Sequence, residues 1–182
     1  MEEAQETLKK GHGEEGIIPP CELTVDEEGE WYHNGQKVIR EDFIKFFYQC
    51  LDVLPDGRYI LKWEDQICTL EVKDTPYVVW SVDMTDGGRL ILFLSDWSRE
   101  LLDPSTLKIG QNGIPYCRVK EGKYLCRFSR KAFYQLAEFI EEGESGYRLV
   151  LKDTSFPLTW DKMGFNNNTD RGVEQSGSLS GS

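Results

Sequence analysis

Between residues 20 and 160 apolar and polar positions alternate for most of the chain, and the period becomes helical in two places. Cys21 to Val25 alternates and predicts a strand. Glu30 to Ile39 reads as a hairpin, because Asn34-Gly35 suits a type I′ turn. Phe43, Ile44, Phe46, Phe47, Cys50, Leu51 and Leu54 then recur at helical spacing, which predicts an amphipathic helix over 41–53. Pro55-Asp56-Gly57 ends it, and four strands follow at RYILK, QICTLEV, YVVWSVD and RLILFLS. Neighbouring strands joined by short turns predict an antiparallel meander. After a looser stretch the order restarts: a hairpin PYCRV-KEGK-YLCRF, Ser129 as N-cap, and a helical stripe of Phe133, Leu136, Ala137 and Ile140 to about Glu142. Gly143 is the expected C-cap, and YRLVLK is the next strand.

The two halves read alike. KDTPYVVW (73–80) and KDTSFPLTW (152–160) each follow a hairpin, a helix and a strand. We read an internal duplication of hairpin-helix-strand units in an α+β fold with antiparallel meander sheets, the first copy carrying extra strands. Chance recurrence of a three-residue turn phrase is the competing reading, since Asp, Thr and Pro are ordinary turn residues. The expected divisions are a tail over 1–19, an N-terminal half over 20–95, a C-terminal half over 96–160 and a polar tail over 161–182. The tails are charged or rich in Ser, Gly and Asn and are expected to be unstructured.

Composition narrows the function classes. Hydrophobic residues make up 39% of the chain, enough for a folded core. A net charge of −11 argues against bulk nucleic acid and anionic membrane as partners. No apolar run approaches the roughly 20 residues of a membrane helix, and the N-terminal residues have no apolar core of a secretory signal, so the cytoplasm is the expected compartment. Five cysteines at 21, 50, 68, 117 and 126 show no CxxC spacing, so buried free thiols are expected rather than a disulfide framework or zinc site. In the hairpin register Cys117 opposes Cys126, a geometry within disulfide reach, although two free thiols suit a reducing compartment.

A wider likeness is carried by CELTVDEEGEWYHNGQKVIREDFIKFF, DGRYIL, EVKDTPYVVWSVD, PYCRVKEGKYLCRFSRKAFYQLAEF and TSFPL. This set resembles a bacterial family known as domain of unknown function 1285, over most of residues 20–158. The resemblance implies a duplicated α+β fold whose C-terminal half is loosely pleckstrin-homology-like. It also implies a nucleotide-like ligand between the halves and a role in signalling, with no reaction attached.

Candidate chemistry centres on residues 118–131, where six basic residues accompany one acid. The window carries +5, which leaves −16 on the other residues. Strand alternation is expected to place Tyr116, Arg118, Lys120, Lys123, Leu125 and Arg127 on one face. Both helices open on arginine, Arg40 and Arg130, where backbone amides favour anions. Trp31, Tyr77 and Tyr116 are aromatic candidates for stacking on a base, or core residues. The bland reading is a set of surface ion pairs with the chain's own acids. The carboxylates Asp26, Glu27, Glu28, Asp65, Asp74, Asp83, Asp86 and Asp153 show no acid–base spacing. No P-loop, HExxH or GxSxG occurs and no GxGxxG follows a predicted strand as a phosphate-binding loop would, so no cofactor, metal or catalytic residue is expected. Three functions remain: a non-catalytic module for an anionic, nucleotide-like ligand; a module whose basic hairpin docks an acidic protein or a second copy; and an enzyme of unrecognised type.

Overall fold

Turn chemistry and alternation build the first sheet. The computed structural model describes residues 18–144 and 146–160. Strand β1 (Pro20–Val25) buries Cys21, Leu23 and Val25 on one face, then β2 (Trp31–His33) and β3 (Gln36–Lys37) form the expected hairpin. Asn34 and Gly35 both take positive φ there, as a type I′ turn demands. Helix α1 (Glu41–Cys50) buries Ile44, Phe46, Phe47, Tyr48 and Cys50. It ends three residues earlier than the periodicity predicts. Leu51–Val53 instead form strand β4, with Leu51 opposite Leu61, because this apolar stretch fits period 2 as well as period 3.6. Strands β5 (Tyr59–Trp63) and β6 (Gln66–Val72) complete a six-stranded sheet in the order β3-β2-β1-β6-β5-β4.

Strands β7 (Tyr77–Met84), β8 (Leu90–Leu94) and β9 (Arg99–Leu101) leave that sheet and join the second one. After a 3₁₀ turn at Pro104–Thr106 come β10 (Lys108–Ile109), β11 (Pro115–Val119) and β12 (Tyr124–Phe128). Helix α2 (Arg130–Ala137) starts under the expected cap, the Ser129 hydroxyl accepting the Ala132 N–H at 3.2 Å. It too is shorter than predicted, since Ile140–Gly143 form strand β13 and Gly143 lies in a hairpin, not at a helix end. Strands β14 (Gly146–Leu151) and β15 (Thr154–Pro157) add to β13, and β16 (Thr159–Trp160) returns to the second sheet. That sheet runs β16-β10-β11-β12-β7-β8-β9.

The fold class is therefore α+β, but the sheets are mixed rather than antiparallel meanders. The pairs β1–β6, β10–β16 and β7–β12 are parallel. A parallel pair needs a long crossover, and the helix between the strands supplies it in the first two.

The same strand order recurs in the two halves. An antiparallel triplet (β1-β2-β3, then β10-β11-β12) leads to a helix and a second antiparallel triplet (β4-β5-β6, then β13-β14-β15). Each unit closes by laying its last strand parallel to its first, β6 on β1 and β16 on β10. The phrase KDT does not mark this repeat. Lys73-Asp74-Thr75 connects β6 to β7, whereas Lys152-Asp153 is the turn between β14 and β15. Its counterpart is Glu64-Asp65 between β5 and β6, and both Glu64 and Lys152 have positive φ.

One cysteine expectation is corrected. Cys21 and Cys68 form a disulfide between β1 and β6, their Cα atoms 5.0 Å apart. A separation of 47 residues leaves no local signature of this pairing, which depends on β6 returning beside β1. Cys50, Cys117 and Cys126 are buried free thiols, and Cys117 does oppose Cys126.

Candidate functional site

A row of aromatic rings crosses from the N-terminal half to the C-terminal hairpin. Trp31, Tyr48, Tyr77 and Tyr124 follow one another with centroids 5.2, 4.9 and 5.2 Å apart. Two of the hydroxyls are tied to main-chain carbonyls of the N-terminal half. The Tyr48 hydroxyl lies 2.7 Å from the Ser95 hydroxyl and 3.1 Å from the Pro76 carbonyl, and the Tyr124 hydroxyl donates to the Leu51 carbonyl at 2.8 Å. Burial raises the Tyr48 and Tyr77 hydroxyls well above the ordinary tyrosine range, so both stay neutral.

Beside this row the connector Asp74-Thr75 receives the hairpin. The Asp74 carboxylate accepts the Tyr116 hydroxyl at 2.9 Å and an Arg127 terminal N–H at 3.1 Å. The Thr75 hydroxyl accepts the Arg127 backbone N–H and donates to the Tyr77 carbonyl. Asn112 donates to Tyr116 from the far side. Burial raises the Tyr116 hydroxyl, which keeps it a donor to Asp74. The Arg127 Nε is buried and has no hydrogen-bond partner. Two of the expected site residues, Tyr116 and Arg127, thus converge on a carboxylate of the segment that leads from the first sheet to the second.

The register places Tyr116, Arg118, Leu125 and Arg127 on one hairpin face, as expected. The two lysines leave it. Lys120 and Glu121 have positive φ, which breaks the strand alternation at the tip. The Lys120 ammonium bonds the Ser98 hydroxyl and sits 2.7 Å from Asp96 and 3.8 Å from Glu100, above the Tyr77 ring. Lys123 pairs with Asp52 at 2.9 Å, over Tyr124. These lysines are neutralised along the join between halves.

The other expected residues are spread. Arg40 is the N-cap residue of α1 but pairs with Asp42 at 2.7 Å and covers the Phe43 ring. Its hydrogen bond holds the Asp42 carboxyl below the usual range. Trp31 is fully buried, and Tyr77 and Tyr116 nearly so, which makes all three core residues in this conformation. Arg118 donates to the Gly122 carbonyl, and Arg130 lies 5.9 Å from the Tyr134 ring centroid. Neither has a carboxylate partner among the described residues. Sequence reasoning missed Asp96 and Ser95, whose roles come from strand β8 ending beside the hairpin tip. In the sequence Asp74 stands as a turn residue among carboxylates without acid–base spacing. Among the described residues no cluster of His, Cys, Asp and Glu fits a metal, and no helix is long and apolar enough to cross a membrane.

Neither known family models nor curated proteins give a match to the chain. Solved structures do. A DUF1285 family protein from Silicibacter pomeroyi is 20% identical, over 86% of this chain and 92% of its own, with a TM-score of 0.65. A second, from Shewanella baltica, is 18% identical over 64% of this chain and 90% of its own, with a TM-score of 0.55. The chain has the fold of solved DUF1285 proteins, in keeping with the likeness of its motifs to that family.

Proposed function

We propose that the protein is a non-catalytic module that binds an anionic, nucleotide-like small molecule where the basic hairpin meets the N-terminal half, and that it serves bacterial signalling. The observation that carries this reading is the charge pairing. In a chain with 32 carboxylates and 21 basic residues, Arg118 and Arg130 have no acid partner among the described residues. Arg127 spends a terminal nitrogen on Asp74 and leaves Nε unused. A planar guanidinium fits a phosphate in two-point fashion. The pleckstrin-homology-like character implied for the C-terminal half goes with this reading.

A thermal-shift screen against nucleotides, cyclic dinucleotides and other anionic metabolites tests it. A ligand at about 100 times its Kd adds about 2.7 kcal/mol of stability. Arg118→Ala and Arg130→Ala then weaken that ligand by about 1.5–3 kcal/mol each, and binding falls as salt rises. Lys120→Ala, by contrast, lowers the melting temperature more than the affinity, because its ammonium already serves Asp96 and Glu100. A screen without a stabilising anion, or a ligand indifferent to both arginines, removes the reading in favour of a protein-docking hairpin.

A further inference from the structure

The duplication leaves one unit closed and the other open. In the N-terminal unit β6 is a single strand from Gln66 to Val72 that pairs with both β5 and β1. In the C-terminal unit its counterpart is broken. β15 ends at Pro157 and pairs only with β14, while Thr159–Trp160 pair only with β10. Proline has no N–H to donate, and Leu158 between the two pieces still donates to the Tyr147 carbonyl at the end of the β14 ladder.

Beside this break lies a groove of about 330 Å³, walled on one side by α2. Its walls are Phe133, Ala137, Ile140, Tyr147, Leu158 and Trp160, with Ile109 at the floor. In the N-terminal unit the disulfide, Leu70, Trp31 and Phe47 are buried together as core. Here Tyr147 is 46% exposed and Trp160 54% exposed.

We propose that this groove is a second binding site, separate from the basic hairpin, for a small planar aromatic ligand. Size and shape select the occupant. Small-molecule sites start at roughly 300 Å³ and are mostly apolar with few polar groups. A cavity of about 150 Å³ holds one benzene, so this groove has room for a fused bicyclic ring with substituents. Three aromatic side chains from α2, β14 and β16 line it, and flat rings pack best on such faces. The Tyr147 hydroxyl supplies a polar contact. A second copy is too large a claim for it: a stable interface needs about 20–30 residues a side, and eight line this groove.

The probe is 8-anilinonaphthalene-1-sulfonate, titrated into the full-length native chain. The expected result is one saturable fluorescent site per chain. Ala137→Trp, which fills the groove from an exposed position, and Trp160→Ala each weaken it by about tenfold or more. Both variants melt within roughly 2 °C of the parent, as surface substitutions do. Tyr147→Ala provides a third variant should either misfold. Unchanged titration in all three overturns the proposal. So does a parent that sediments as a dimer and becomes monomeric on Trp160→Ala. Magnetisation transfer from Met163 or Phe165 to the Ala137 methyl in the free chain also overturns it, by assigning the groove to the chain's own C-terminal segment.

Discussion

The two units share a strand order but differ in how they are sealed. The parallel pair β1–β6 lies in a six-stranded sheet, is crossed by a disulfide, and shares its buried core with Trp31 and Phe47. The parallel pair β10–β16 has two residues on each strand and ends on a half-exposed tryptophan. The same topology can therefore be spent on stability in one copy and on an open surface in the other. The difference is written in few residues: two cysteines on one side, and Pro157 on the other.

The strongest way to break the comparison is to cut one tryptophan from each unit. Trp31→Ala removes a fully buried ring and should cost about 3–5 kcal/mol, read by urea unfolding. Trp160→Ala should stay within about 0.5 kcal/mol. Similar losses for both would mean that the C-terminal closure is as tight as the N-terminal one.

Next in size is the disulfide. Reduction, or paired Cys21→Ser and Cys68→Ser, should cost about 2–4 kcal/mol, since the bridge closes a loop of 47 residues. Hydrogen exchange should accelerate in β1 and β6 before β10 and β16. Cys50, whose thiol burial pushes up to about 11, should stay unreactive toward aromatic disulfide reagents at neutral pH, as should the buried Cys126.

The helices offer a smaller contrast. Ser129→Ala should destabilise by about 1 kcal/mol, because its hydroxyl caps α2. Arg40→Ala removes no capping bond, because the Arg40 side chain makes none at α1. Equal effects in thermal melts would erase the distinction.

The smallest effect concerns the join. Lys123 and Asp52 link the hairpin to β4, and both are about half exposed, so the pair is worth less than about 1 kcal/mol. Hydrogen bonding to Lys123 lowers the Asp52 carboxyl, so its share of stability is present above the usual carboxylate pKa and fades as pH falls below it. Lys123 is raised by the same bond, so its share is present below the usual lysine pKa and is lost at higher pH. Asp52→Asn should flatten the melting profile at both ends. A profile parallel to the parent's would show that the pair contributes nothing.

Much of the fold was legible because alternation, Asn-Gly turns and Ser129 act locally. What failed was non-local. Leu51–Val53 and Ile140 fit the helical stripes of the sequence because a short apolar run suits either period until a partner strand is known. The Cys21–Cys68 bridge needed the parallel return of β6. In the candidate site, the pairing of Tyr116 with Arg127 followed from hairpin register, but the fates of Lys120 and Asp74 did not. A left-handed residue at the tip turned Lys120 over, and only the connector's path brought Asp74 to Arg127. The repeated KDT phrase pointed to a strand order that does recur, through residues that do not correspond within it.

The three parallel pairings also set the pace of folding. Each joins strands about fifty residues apart, so neither of the two large sheets can be completed from neighbouring segments alone, and loop-closure entropy is met before the contacts form. The chain should fold in milliseconds to seconds rather than microseconds. Of the three, β7 on β12 is the pairing that welds the units together. Substitutions at Val78 or Val79, both fully buried there, should therefore slow the docking of one unit on the other more than the formation of either.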